Sequence, residues 1–371
     1  MDSIKSRAPR TASWTEAPWR PLHDVAVQAY YSGDLDLGRW ACETLLSLPD
    51  VPEGIVSRTR INQIFYAPLL ADMIPGACTR PILFEVPPLH FRFNPTIAVD
   101  GDGYRVVART ADLNTDLNDP FYHPLSSDGV SHFDNYVVEL DAELNVRSAS
   151  IITNPADESD EIECALADYG VTDCRLFEWR GEWFVSGSLL TGNPTFATQM
   201  ALLRLRDAVF DGLIVLSDPG SGRDEKNWMP VVRGEDLYFI YAVSPTVVLT
   251  HTDDGVEQVA DHDSCYLLRH YRGGSQGVEL SDGYLFVVHE AVALDNGTRA
   301  YPHRFIKTDH DFRITDISMP FFFLHRYKEF CCGMARRDDQ LVISHGFMNR
   351  EAYVSRLLLS ETLTTLRPVL G

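Results

Sequence analysis

One unit recurs five times after residue 90: a polar tip, a strand, a tight turn, then a second strand. The copies are NPTIAVDGDGYRVVART (94–110), DCRLFEWRGEWFVSGS (173–188), NWMPVVRGEDLYFIYAVSP (227–245), SQGVELSDGYLFVVHE (275–290) and FCCGMARRDDQLVISHG (330–346). Gly101–Gly103, Arg180–Gly181, Gly234–Glu235, Asp282–Gly283 and Asp338–Asp339 are the hairpin signals. From the second copy onward the turns lie about fifty residues apart; the first interval is longer by roughly 25, which residues 111–134 supply. Each copy is followed by a further strand-patterned run, such as NYVVELDAELNV, ATQMALLRLR, HRFIKTDHDFRI or AYVSRLLLSETL. Four strands in a repeat of roughly 40–50 residues are the signature of a β-propeller, so five units imply five blades. A parallel α/β fold is excluded, because no helical segment separates these strands. The expected fold is all-β: a five-bladed β-propeller over residues 81–371 with a short α-helical segment before it.

Residues 1–80 form that preface. Residues 1–20 show no periodicity and read as a flexible arm. From His23 the pattern is helical, with two short helices joined at Ser32-Gly33-Asp34. Val25, Ala29 and Tyr30 share one face of the first; Leu37, Trp40, Ala41, Leu45 and Leu48 share one face of the second. Pro49 and Pro52 end it, and a third helix follows over about 53–66. The pair looks like a single tetratricopeptide-type hairpin. One hairpin cannot build a peptide-binding superhelix, so it is expected to pack on the propeller.

Acidic residues outnumber basic ones 53 to 32, a net charge of −21. Such a surface repels nucleic acid and anionic lipid, so neither is an expected partner. No apolar run approaches the ~18–20 residues of a membrane span, and the N-terminus has no apolar signal segment; a cytoplasmic location is expected. The seven cysteines include no C-x-x-C pair, which argues against a zinc knuckle or redox motif and for buried thiols in a reducing compartment. No P-loop, H-E-x-x-H, G-x-S-x-G or dinucleotide fingerprint occurs, so no cofactor and no metal are expected.

In a propeller the innermost strands run side by side around a channel, and their starts gather at one mouth. Here those starts are Asn94, Asp173, Asn227, Gln276 and Glu329, all polar. They read as a ligand socket; Asn and Asp also favour turns before strands, which is the alternative.

The tips resemble those of glycoside hydrolase family 130, the inverting mannoside phosphorylases and hydrolases. Thr172-Asp173-Cys174-Arg175 stands where that family has Glu-Asp-Pro-Arg, Asn94-Pro95 matches its early Asn-Pro, and Arg272-Gly273-Gly274-Ser275 leading to His289 matches its fourth-blade glycine motif. Lys226-Asn227-Trp228, His303-Arg304-Phe305, Pro320-Phe321-Phe322 and Glu329-Phe330 are reminiscent of a bacterial branch found beside tetratricopeptide and glycosyltransferase segments. Thr172 and Cys174 depart from the motif. The resemblance implies that Asp173 is a general acid, giving a proton to the bridging oxygen as charge develops on the sugar ring. Asp168, Glu163 and Glu329 are candidate neighbours that would keep it protonated.

An inverting hydrolase also needs a carboxylate base about 6.5–9.5 Å from the acid. Glu329 is the first candidate and Glu290 the second. A phosphorylase or a transferase using a sugar nucleotide instead needs a cationic cradle for phosphate. Arg109, Arg175, Lys226, Arg272, His303, Arg304 and Lys328 lie near strand ends, and Trp228, Tyr241, Phe93, Tyr301 and Tyr327 offer aromatic faces for sugar. The expected catalytic pair is Asp173 and Glu329. The expected substrate contacts are Asn94, Arg109, Arg175, Lys226, Asn227, Trp228, Arg272, Gln276, His289, Tyr301, His303 and Arg304. The expected ligand is a small sugar or phosphorylated substrate, with inorganic phosphate or a sugar nucleotide as co-substrate. Two rival readings keep the fold: transfer or cyclisation on a non-sugar substrate, motivated by Thr172 and Cys174, and a glycan-binding module without catalysis.

Overall fold

The computed structural model describes residues 19–114, 123–124, 133–153, 170–190, 198–216, 224–263 and 265–369. The expected arm over 1–20 falls almost wholly outside the described residues, as do Glu163, Cys164 and Asp168. The rest is a five-bladed β-propeller preceded by short helices.

Blade 1 comprises Phe91–Asp100, Gly103–Ala111, Phe133–Leu140 and Val146–Ile151 from the channel outward. Blade 2 comprises Val171–Trp179, Glu182–Leu190, Thr198–Arg206 and Val209–Val215. Blade 3 comprises Met229–Arg233, Asp236–Ala242, Thr246–Thr252 and Gly255–His262. In blade 4 the innermost strand is broken into Tyr271–Gly273 and Val278–Leu280, followed by Gly283–Glu290, His303–Thr308 and Ile314–Ile317. Blade 5 has Glu329–Arg337, Gln340–Phe347 and Glu351–Leu358, and its outermost strand, Cys78–Pro81, comes from before blade 1. The division expected at residue 80 therefore falls inside a propeller strand. A second closure comes from the other end, where Arg367–Pro368 pairs with Ile317 and Asp316 on the rim of blade 4.

The hairpin turns fold as their residues dictate. Arg180 and Gly181 both take positive φ, 55° and 74°, the two-residue geometry that matches strand twist. Stacked blades bury both faces of their middle strands, so Gly283–Glu290 is buried at every position. Each of the five blade interfaces has its own apolar cluster: Val107 with Leu176, Phe177 with Phe239, Val231 with Phe286, Leu285 with Ile343, and Val106 with Val342.

Helices α1 (Trp19–Ser32), α2 (Leu35–Ser47) and α3 (Glu53–Tyr66) have the layout read from the sequence, with α1 starting four residues before His23. Gly38 makes the close crossing possible: a Cβ there would lie 2.2 Å from the Tyr66 ring. The helices pack on blade 4, where Ile64 and Ala67 meet Val292, Ala300 and Phe322. Glu43 of α2 reaches two arginines, Arg304 of blade 4 at 3.0 Å and Arg367 of the closing strand.

Candidate active site at the channel mouth

Three of the polar tips share an unusual backbone. Asn94, Asp173 and Asn227 have φ of 46°, 52° and 65°. Asn and Asp are the residues other than glycine that enter this left-handed region at least cost. In blades 1 and 2 that residue opens a β-bulge, where pairing skips from Phe93 to Thr96 and from Thr172 to Arg175. Blade 5 slips at the equivalent level, between Cys331 and Gly333, and blade 4 breaks after Gly273. The turn reading holds for these three tips: their backbone favours Asn or Asp, and in blades 1 and 2 the bulge re-aims the side chain.

Asp173 is the centre of the cluster that results. Asn94 Nδ2 donates to its Oδ1 at 3.0 Å, and Arg109 Nη2 lies 3.4 Å from the same oxygen. The Asp173 side chain is 24 % exposed. The Arg109 guanidinium lies against Phe93 and Phe133, 4.5 and 5.2 Å from the ring centres, and its Nε has no partner among the described residues. Lys328 Nζ sits 5.9 Å from the centre of the Tyr301 ring; burial, with Arg109 nearby, lowers its pKa to about 7. His289 stacks on Tyr301 at 5.4 Å and meets the edge of Phe330 at 4.8 Å. Burial, then Arg175 and Arg272, pushes His289 down to about 3, so it is a neutral imidazole.

Arg175 is the keystone beneath. It is fully buried, donates from Nε to Gly274 O at 2.9 Å, from Nη1 to Asp173 O and from Nη2 to Asn227 Oδ1 at 3.4 Å, and faces the Phe330 ring. One side chain from blade 2 thereby holds the tips of blades 2, 3 and 4. Its donors point to protein acceptors, so it positions the site rather than lining it. Thr172 and Cys174, the departures from the family motif, turn elsewhere: Thr172 Oγ1 donates to Ser188 O at 3.2 Å, and the buried Cys174 Sγ approaches Asn135 Oδ1 at 3.7 Å.

The structure separates other expected site residues from the mouth. Gln276 is a plug lower in the channel: its Nε2 donates to Ile97 O at 2.6 Å and Leu176 O at 3.2 Å, and its Oε1 accepts from Met334 N at 3.2 Å. Glu329 is fully buried and accepts from the amides of Phe323, Leu324 and His325 at 2.6, 2.8 and 2.9 Å. Burial raises its carboxyl to about 7 against the pull of those amides, and the group caps a turn. Glu290, the second candidate base, is buried against Arg60 of α3. Trp228 packs in blade 3 against Phe239 and Tyr241. His303 is buried among Phe321, Phe323 and His289. Arg304 is fully buried on Glu43, the Tyr271 hydroxyl and Ser318 O, facing the helices. Lys226 is exposed and pairs with Asp224 at 3.4 Å.

The mouth therefore gathers Asn94, Arg109, Asp173, Asn227, His289, Tyr301 and Lys328 over the Arg175 keystone. Phe330 and Phe133 were not singled out as site residues in the sequence; their apolar type is indistinguishable from blade core. Beside the mouth, between blades 3 and 4, opens a cleft of about 480 Å³ lined by Glu225, Lys226, Asn227, Tyr241, Arg272 and Gly273, among others. Glu225 also escaped the sequence reading, although it adjoins the Lys226-Asn227-Trp228 tip. No three His, Cys, Asp or Glu among the described residues come together as a metal site would require. No described helix is long and apolar enough to cross a membrane.

No family model and no curated protein matches this sequence. Solved structures do match its fold. β-1,2-Mannobiose phosphorylase from Listeria innocua aligns over 81 % of this chain and 98 % of its own, with TM-score 0.52 and 12 % identity. A glycosyl hydrolase from Bacteroides ovatus aligns over 76 % and 87 %, with TM-score 0.53 and 11 % identity. A structure from family 130, described as containing mannoside phosphorylases and glycoside hydrolases that target β-1,2 mannosidic linkages in Candida mannan, aligns over 75 % and 91 %, with TM-score 0.52 and 11 % identity. The five-bladed arrangement is thus shared with structures of glycoside hydrolase family 130.

Proposed function

We propose that this protein is a carbohydrate-active enzyme that breaks or makes a glycosidic bond at the channel mouth, with Asp173 as general acid and phosphate, free or on a sugar nucleotide, as the anionic partner. The observation that carries this reading is the cluster itself. A partly exposed carboxylate is oriented by Asn94 and Arg109, with Lys328 close to Arg109, on a chain of net charge −21. A cationic cluster kept against that background is suited to an anion.

In the productive complex Asp173 would be protonated on Oδ2, the oxygen that does not accept from Asn94, and would give that proton to the bridging oxygen as that oxygen leaves the anomeric carbon. In phosphorolysis a phosphate oxygen would form the new bond to that carbon on the opposite face, with inversion. Arg109 and Lys328 would hold the phosphate. Hydrolysis is the weaker variant, because both carboxylates expected as base are occupied: Glu329 by three amides and Glu290 by Arg60. The side chains that motivate a non-sugar substrate, Thr172 and Cys174, bond to Ser188 and Asn135 and leave the Asp173 partners in place.

The test is conversion of β-mannosides in the presence of phosphate, read as sugar 1-phosphate released. Asp173→Asn is expected to abolish turnover while phosphate still raises the melting temperature. A ligand of the folded state adds about 2.7 kcal/mol at a hundred times its dissociation constant, which a melt reads easily. A folded Asp173→Asn protein with full turnover overturns the assignment. Glycan binding without turnover, indifferent to Asp173→Asn, replaces it with a binding module.

A further inference from the structure

The cleft between blades 3 and 4 is not needed for acid catalysis at Asp173, yet it opens directly from the mouth. Asn227 belongs to both, and it is fixed by the Arg175 that also holds the Asp173 carbonyl. Its volume of about 480 Å³ lies within the range of small-molecule pockets.

The two walls have opposite character. On one side is Glu225, 9 % exposed, whose oxygens accept from Trp228 Nε1 and the Tyr241 hydroxyl, each at 3.3 Å. These donors fix the carboxylate plane and leave lone pairs for further hydroxyl hydrogens. From blade 4 come Arg269 and Arg272, while Lys226 adjoins Glu225 on its own segment; the three cations are in different states. Arg269 is committed to Leu46 O and Tyr266 O, and Lys226 to Asp224. Arg272 is exposed; its backbone sits opposite His289 in the blade 4 ladder, and its guanidinium makes no hydrogen bond or ion pair among the described residues. An unpaired guanidinium in a chain this acidic is a free anion receptor.

A small inorganic anion filling the cleft would meet the Glu225 carboxylate. A neutral sugar would leave Arg272 unused. The pairing fits a ligand with hydroxyls at one end and an acidic group at the other. We propose that this cleft is the subsite for the second sugar, the acceptor or leaving group, and that it selects an acidic sugar: Arg272 binds its carboxylate or phosphate and Glu225 its hydroxyls. This rests on the reading of the mouth as a glycosidic-bond site.

The test is titration calorimetry on the full chain with four probes: glucuronate, a hexose 6-phosphate, the neutral hexose and inorganic phosphate. Wild type is expected to bind at least one acidic sugar more tightly than the neutral one. The preferred acid names the source of the anion. Arg272→Gln is expected to weaken acidic-sugar binding on the order of 10- to 100-fold, the loss of one charge-assisted contact, and to leave inorganic phosphate binding unchanged. Glu225→Gln is expected to weaken acidic and neutral sugars together. Equal affinity for acidic and neutral sugars, or indifference to Arg272→Gln, overturns the subsite while phosphate binding at the mouth leaves the proposed function standing. Binding of none of the four overturns both.

Discussion

Glu43→Gln tests whether Arg304 joins the helices to the propeller, as the structure places it, or touches a ligand, as its position in the sequence led us to expect. Arg304 is fully buried and its charged partner is Glu43, at 3.0 Å; the Tyr271 hydroxyl and Ser318 O supply only neutral contacts at 2.9 and 2.6 Å. Removing one charge of a buried pair strands the other, which costs about 3–5 kcal/mol. The second partner of Glu43, Arg367, is 38 % exposed, so its share is small. At about 2.1 cal/mol/K per residue, 371 residues give an unfolding entropy of about 0.8 kcal/mol/K, so the melting temperature should fall by about 4–6 °C. Scanning calorimetry reads this directly. Arg304→Met placed on Glu43→Leu should melt no lower than Arg304→Met alone, because an apolar pair strands no charge. Burial opposes the charge of Glu43, but Arg304 and Arg367 outweigh it and hold its carboxyl below the usual range. The pair's stabilisation is therefore present above the unfolded carboxylate pKa and is lost as pH falls through the folded one. Phosphate affinity at 20 °C should be unchanged by Glu43→Gln. A melting temperature within 1 °C of wild type, or a loss of phosphate binding without a loss of stability, refutes the structural role.

Two further perturbations address the mouth and the channel. Sulfate, which stays doubly charged across neutral pH, should bind more weakly as pH rises through about 7, because buried Lys328 loses its proton there, close to Arg109, the Tyr301 ring, the neutral His289 and the Asp173 carboxyl that faces Arg109; Lys328→Arg should flatten that profile, and a wild-type profile already flat from pH 6 to 8 refutes it. Gln276→Leu leaves Ile97 O, Leu176 O and Met334 N without their partner and should cost about 3 kcal/mol or more with unchanged phosphate affinity; weakened binding at unchanged stability would return Gln276 to the substrate contacts.

The blades were legible because their signal is local and repeated: strand, positive-φ turn, strand. The closures were not. Cys78–Pro81 is a short, largely exposed strand whose only reason to be a strand is the free edge of blade 5, and nothing in four residues announces that partner. Arg304 and Glu43 lie 261 residues apart, so an arginine beside a strand start read equally well as a ligand contact. The same limit explains Glu329. Its position at the head of the fifth inner strand was right, but its three amide partners belong to a loop whose course the sequence does not encode in any motif.

The place of Asp173 at a blade tip could be read from sequence because its conformation and its proposed chemistry ask for the same residue type. The bulge needs a residue that tolerates φ of 52°, and the mouth needs a short polar group re-aimed out of the strand's alternation. Asn94 and Asn227 satisfy the first demand equally well, so backbone strain alone cannot account for an acid at the second blade only. Asparagine there would keep the turn and a hydrogen-bonding partner for Asn94, and would remove the charge that faces Arg109 at 3.4 Å. What distinguishes Asp173 from its two neighbours is therefore the carboxylate itself. That difference is what supports the proposed proton transfer at Asp173, with the asparagines as its frame.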